Sequence, residues 1–106
     1  MEESPNLSYI LNLADGDFIF AEKFTRALKE EFQDEVQTYF EHINNSEPRS
    51  AAEFVSKIKQ KFTMLSLTKS FATADYHQRK LQEGDLSLDF EFRKLIRKVN
   101  TYLRDA

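Results

Sequence analysis

The chain has 106 residues, a net charge of −3, 10 phenylalanines and no cysteine. This length fits one domain with a single hydrophobic core. The absence of cysteine excludes a disulfide framework, a thiolate metal site and a cysteine nucleophile. Two glycines and two prolines are few for a turn-rich β fold, so the composition favours long helices.

The sequence carries no sign of membrane insertion or secretion. No apolar run reaches the roughly 18 residues that a membrane span requires. The first residues, MEESPN, are acidic and polar, unlike a signal peptide. We therefore expect a cytoplasmic protein that does not enter a membrane.

The first half of the chain predicts two helices. Residues 1–5 are expected to be disordered or loosely attached. A short helix capped by Asn6 or Ser8 should run to about Ala14 and end at the turn 15–17. A long second helix is predicted from about Asp17 to Ile43, where apolar residues recur every three or four positions. Phe18 and Ile19 precede that seam and are interpreted as contacts to the first helix.

The third predicted helix follows the loop 44–48 and opens at Arg49 or Ser50. At about 100° per residue its apolar positions form one stripe. The stripe consists of Ala51, Val55, Ile58, Phe62 and Leu65. Ser56 then points roughly opposite the stripe. The residues expected around it on the solvent side are Ala52, Lys59, Gln60 and Thr63.

Two further helices complete the predicted fold. The apolar pattern resumes at Leu67 and continues to Leu81, with Gly84 past the helix end. The last helix should run from about Ser87 to Leu103. Four long seams joined by short loops predict an all-α domain over residues 1–106. Its architecture should be an antiparallel up-down-up-down four-helix bundle with a short N-terminal helix.

Positive charge is concentrated in residues 49–70. This segment holds five lysines and arginines against one glutamate, a net charge of +4, so the rest of the chain carries −7. An island of this size is too small for broad nucleic-acid binding. It suits a compact anionic target such as a phosphoryl group, although lysines also simply solvate helices.

The third helix also resembles a known family. The run Val55-Ser56-Lys57-Ile58-Lys59, followed by Leu65-Ser66-Leu67, is similar to the signature helix of histidine-containing phosphotransfer (HPt) domains. Those domains carry a phosphoryl group between receiver domains in two-component phosphorelays. Ser56 stands where the family has its phosphorylated histidine, and Ser66 where it has a later glycine.

The resemblance implies a phosphorelay protein that binds the receiver domain of a response regulator or hybrid kinase. It also implies that Lys59 occupies the phosphoryl-stabilising position. A serine hydroxyl is a poor nucleophile without an adjacent base, and only Glu53 lies one turn away. We therefore expect a monomeric protein that is not an enzyme, needs no cofactor and carries no phosphohistidine at position 56. The expected receiver-binding residues are Ala52, Ser56, Lys57, Lys59, Gln60 and Thr63.

Two alternatives remain open. The chain is either a structural or adaptor bundle unrelated to phosphorelays, since fold does not fix function, or a phosphotransfer protein that uses His77. A surface or half-buried role is the simpler interpretation of both His42 and His77. Two scattered histidines lack the spacing of a metal site. The carboxylate pairs at 30–31 and 34–35 are interpreted as a solvated helix face.

Overall fold

The structure is a computed structural model and describes residues 3–105. Regular secondary structure in this range is helical, so the prediction of an all-α fold is confirmed. The helices are α1 (Ser8–Ala14), α2 (Phe18–Asn44), α3 (Pro48–Met64), α4 (Thr68–Gln82) and α5 (Asp89–Arg104). Between residues 3 and 105, none of the helices combines the length and the apolar character needed to cross a bilayer.

The starts of α2 and α3 follow from local chemistry. Asp17 caps α2, because its Oδ1 accepts a hydrogen bond from the backbone N–H of Phe20 at 3.0 Å. Helix α3 begins at Pro48, earlier than the predicted start at Arg49 or Ser50. The fixed φ of proline suits the first helical position, where its missing N–H costs no hydrogen bond.

The end of α3 is a left-handed turn at Ser66. This residue has φ +64°, a conformation that favours glycine. The backbone N–H of Leu67 closes the turn by donating to the carbonyl of Phe62 at 2.8 Å. Leu65 and Leu67 on either side of Ser66 are fully buried. The short connection between α3 and α4 is therefore anchored in the core on both sides.

The core is built around α3, which packs against α2 on one side and α4 on the other. Helix α5 contacts α4 and α2, and α1 packs chiefly on α2. The predicted stripe of α3 is confirmed, since all five of its residues are completely buried. The largest side chains buried with it are Tyr39, Phe32, Phe92 and Ile10.

Glu3 ties the N-terminal segment to the helices. Its carboxylate accepts the backbone N–H groups of Lys69 at 2.9 Å and Ser70 at 2.5 Å, in the first turn of α4. Lys98 of α5 donates to the backbone carbonyl of Glu3. The expectation of a loosely attached N-terminus is therefore wrong at Glu3, because free N–H groups at a helix start bind a carboxylate. Met1 and Glu2 lie outside the described residues.

Phe18 and Ile19 are not packed against α1 over most of their surface, contrary to the sequence-based interpretation. Their residues are 78% and 69% exposed. The three-residue turn between α1 and α2 places α1 over Ala21 and Thr25, further along α2. The first turn of α2 therefore extends past α1 with its two large apolar side chains in solvent.

Candidate functional site

Ser56 lies midway along α3 with its residue partly exposed. Lys57, Gln60 and Thr63 are exposed, as the sequence predicted for a solvent-facing surface. The ammonium of Lys57 lies 4.9 Å from the ring centroid of Phe54, one turn back on the same helix. We call Ser56, Lys57, Gln60 and Thr63 the α3 surface.

Ala52 does not belong to this surface. It is only 2% exposed, so its predicted role as a docking residue is wrong. On the helical wheel Ala52 lies on the flank of the apolar stripe, and α4 covers that flank. A helix packed on two sides buries a wider arc than its own hydrophobic stripe indicates.

Lys59 lies on the same flank of α3, and its ammonium forms an ion pair with a carboxylate on α4. Its side chain is 16% exposed, and its Nζ lies 2.8 Å from Oδ1 of Asp75. The other oxygen of Asp75 accepts from Arg79, also at 2.8 Å. Hydrogen bonding to Lys59 holds the pKa of Asp75 below its usual range, and the charge of Arg79 adds to this effect. Lys59 therefore clamps α3 to α4 as well as lying near Ser56.

Acidic residues on neighbouring helices neutralise much of the basic island. Lys61, on the opposite flank of α3, is buried and pairs with Glu35 at 3.0 Å and Glu31 at 3.2 Å. Burial alone would lower the pKa of Lys61, but the hydrogen bonds to these carboxylates outweigh it and raise the pKa. The interpretation of the carboxylate pairs at 30–31 and 34–35 as a solvated face is wrong at Glu35, whose side chain is 14% exposed. The net charge of +4 overstates the field at the α3 surface.

His77 lies in the core rather than at the surface. It is fully buried, and its Nε2 lies 2.8 Å from the hydroxyl of Tyr39. That hydroxyl donates a hydrogen bond to Oδ1 of Asp89 at 2.5 Å. Its only proton is thereby used, so its oxygen accepts a hydrogen bond from the N–H at His77 Nε2. Asp89 is held in turn by Arg93 at 2.7 Å. We call these four residues, which join α2, α4 and α5, the core network.

Burial and hydrogen bonding fix the protonation states in the core network. Burial lowers the pKa of His77 to about 4, although Asp89 and Asp85 pull it the other way. Burial and the hydrogen bond to Asp89 raise the pKa of Tyr39. His77 is therefore neutral at physiological pH, with its proton on Nε2. Its Nδ1 is buried without a hydrogen-bond partner among residues 3–105.

The complete burial of His77 bears on its proposed role as a phosphotransfer residue. An imidazole with no exposed surface cannot meet the in-line attack geometry of an incoming aspartyl phosphate, so the alternative of phosphotransfer through His77 fails. His42 is half-buried, as the sequence predicted, and it pairs with Glu47 at 2.9 Å. The sequence predicted a surface or half-buried position for His77, or a phosphotransfer role, and placed it in no core network. The signal missed was Tyr39 in the α2 seam, a phenol that requires a polar partner when buried.

Comparisons with family models, with curated proteins and with solved structures find no significant match to this chain. Within residues 3–105 no group of three or more His, Cys, Asp or Glu side chains is arranged to hold a metal ion.

Proposed function

We propose that this chain is an HPt-like protein that binds receiver domains of response regulators or hybrid kinases through its α3 surface. It does so without carrying phosphohistidine, because Ser56 stands at the family's acceptor position. The observation that carries the proposal is the partial exposure of Ser56 in the middle of α3, beside the exposed Lys57 and Gln60.

The backbone at Ser66 supports the same assignment. The family has glycine at this position, and glycine is favoured where φ is positive. Ser66 has φ +64°. A positive φ at the position where the family has glycine supports the resemblance, although the residue itself differs.

Contacts between helices support an antiparallel bundle. Lys59 pairs with Asp75, and Arg49, earlier in α3, donates to the carbonyl of Gln82, later in α4. Such a pattern arises when two consecutive helices run in opposite directions. Short connections between the four long helices favour the same up-down arrangement throughout.

The chemistry at position 56 favours binding without phosphotransfer. A serine phosphate ester is too stable to pass its phosphoryl group on. The nearby cation, Lys59, is already neutralised by Asp75. The protein then acts as a binder that competes with a working relay protein for the same receiver.

The direct test mixes the chain with a receiver domain loaded from radiolabelled acetyl phosphate. We expect no label on the wild-type chain and acid-labile label on Ser56→His. Label on the wild type would refute the loss of phosphotransfer. Absence of label on a folded Ser56→His variant would count against the assignment to the family.

Binding is tested separately from transfer. We expect Lys57→Glu or Gln60→Glu to weaken capture of a receiver domain, because both side chains are exposed on the α3 surface. Lys94→Glu on α5 is the matched control, since Lys94 is also exposed but lies outside this surface. Equal capture by all three variants would place the receiver elsewhere.

A structural or adaptor bundle is the second candidate. It is favoured by the pairing of Lys59 and Lys61 with carboxylates, which gives both lysines a purely structural role. This reading predicts no binding to any receiver domain in a panel from the source genome. Binding of at least one receiver, lost in Lys57→Glu, would exclude it.

A further inference from the structure

A set of large apolar side chains lies exposed on helices other than α3, which carries Ser56. It is formed by α1 and the first turn of α2, and we call it the end patch. Its members are each 41–78% exposed: Tyr9, Leu11, Leu13, Phe18, Ile19 and Phe20. Large apolar side chains exposed to this extent are candidates for an interaction site.

A groove lies directly beside the end patch. It runs between α1 and α2, has a volume of about 460 Å³, and is floored by Leu7, Ile10 and Ala21. Arg26 and Lys29 lie along its α2 side. A concavity of this size holds more than one large side chain. The protein therefore carries a projecting apolar turn and an apolar groove at the same end.

We infer that a second copy of this chain covers the end patch, with Phe18 and Ile19 of each copy entering the groove of the other. A two-fold contact requires one surface to be complementary to itself. A knob and a groove on the same end meet that requirement. The inference is independent of receiver binding, and it departs from the monomer expected from sequence.

The exposed apolar area of the end patch is consistent with a contact between two copies of the chain. With about 200 Å² for each large apolar side chain, the exposed fractions of the end patch amount to about 600 Å² per copy. A two-fold contact that covered all of this surface would bury about 1,200 Å², the lower limit for a specific protein–protein interface. This size fits a reversible dimer rather than an obligate one.

Charge supports the same arrangement. The turn that precedes Phe18 is acidic, with Asp15 and Asp17 both exposed. The groove is bordered on its α2 side by Arg26 and Lys29. Glu22 also borders the groove and pairs with Arg26 at 2.9 Å. When Phe18 and Ile19 of one copy enter the groove of the other, the aspartates of the first copy therefore come near Lys29 of the second.

Light scattering across micromolar to submillimolar concentrations tests the inference. We expect the wild-type mass to rise from 12.5 kDa towards twice that value. Ile19→Asp should weaken the dimer by roughly tenfold or more, since a central apolar anchor is replaced by a charge. Phe90→Asp on α5 is the matched control, because Phe90 is 68% exposed and outside the end patch. Circular dichroism should show both variants folded.

Each outcome of these experiments either supports or overturns the inferred dimer. A dimer lost in Ile19→Asp and kept in Phe90→Asp supports the inference. Severalfold weakening in Lys29→Glu but not in Lys94→Glu supports the approach of the aspartates in the turn 15–17 to Lys29. A wild-type chain that stays monomeric throughout would overturn it and assign the end patch to a different protein. A dimer that survives Ile19→Asp, or that Phe90→Asp abolishes, would overturn it as well.

Discussion

The hydroxyl of Tyr39 on α2 donates a 2.5 Å hydrogen bond to Asp89 at the start of α5, and the same oxygen accepts from His77 on α4. One side chain thus satisfies polar groups on two other helices. Removing it leaves a carboxylate and an imidazole N–H without their partner in the interior.

Tyr39→Phe should therefore destabilise the fold. Leaving buried polar groups unpaired costs about 1–3 kcal/mol in the free energy of unfolding. Urea unfolding followed by circular dichroism measures this cost. Tyr9→Phe is the control, because Tyr9 is largely exposed and should change the unfolding midpoint little. Equal midpoints for both variants would contradict a stabilising role of the core network.

The stability of the protein should fall as the pH drops from about 6.5 to about 4. His77 is neutral when folded, with its pKa lowered to about 4 by burial, whereas the unfolded chain binds a proton near pH 6.5. The unfolded state therefore takes up more protons in this window, and acidification favours it. The full loss is about 3 kcal/mol, since one pKa unit corresponds to about 1.4 kcal/mol.

Urea unfolding at intervals between pH 7 and pH 4 measures this dependence. In His77→Gln, which keeps a donor for Tyr39, most of the slope between pH 6.5 and pH 4 should disappear. His42→Gln is the control and should retain the slope, because it leaves His77 and the rest of the core network intact. A wild-type stability that is flat across this window would show that His77 does not stay neutral in the fold.

Asp75→Asn should increase phosphotransfer to a restored histidine. The substitution removes the charge that holds Lys59 at 2.8 Å and frees its ammonium for phosphoryl oxygens. We expect Ser56→His with Asp75→Asn to accept severalfold more label per minute than Ser56→His alone. Ser56→His with Glu83→Gln serves as control, since Glu83 is exposed beyond the end of α4. Equal rates in both double variants would mean that Lys59 acts only as a clamp between helices.

Ser66→Gly should stabilise the protein. A non-glycine residue in the left-handed region costs about 1–2 kcal/mol, and part of this returns as the greater freedom of glycine in the unfolded chain. We expect a net gain of about 0.5–1 kcal/mol in thermal or urea unfolding. Ser50→Gly inside α3 should lower stability instead. A loss of stability in Ser66→Gly would contradict the strain inferred at this turn.

The sequence predicts the helices of this fold well because periodicity is a local signal. The cap at Asp17 and the buried stripe of α3 follow from spacing and side-chain chemistry within single helices. The expectations for Ala52 and Lys59 depend instead on which flank of α3 a neighbouring helix covers. One helical wheel cannot show that α4 lies over Ala52, nor that Asp75 reaches Lys59.

The same distinction explains the missed core network and end patch. His77 and Tyr39 are 38 positions apart, so only the packing of α4 on α2 brings their polar atoms together. Phe18 and Ile19 look like core residues by composition, and their exposure follows from where α1 lies on α2. Both features are set by contacts between helices, which sequence spacing within one helix does not encode.

The hydrogen bonds between Glu3 and the first turn of α4 limit where the protein can be tagged or labelled. Burial opposes the ionisation of Glu3, but the N–H groups of Lys69 and Ser70 outweigh this and keep the pKa of its carboxyl below the usual range. A purification tag, a fluorophore or a protease cut placed at this end would disturb the cap on α4 and the link to Lys98 together. Labels for binding assays therefore belong on exposed side chains of elements that take no part in this junction.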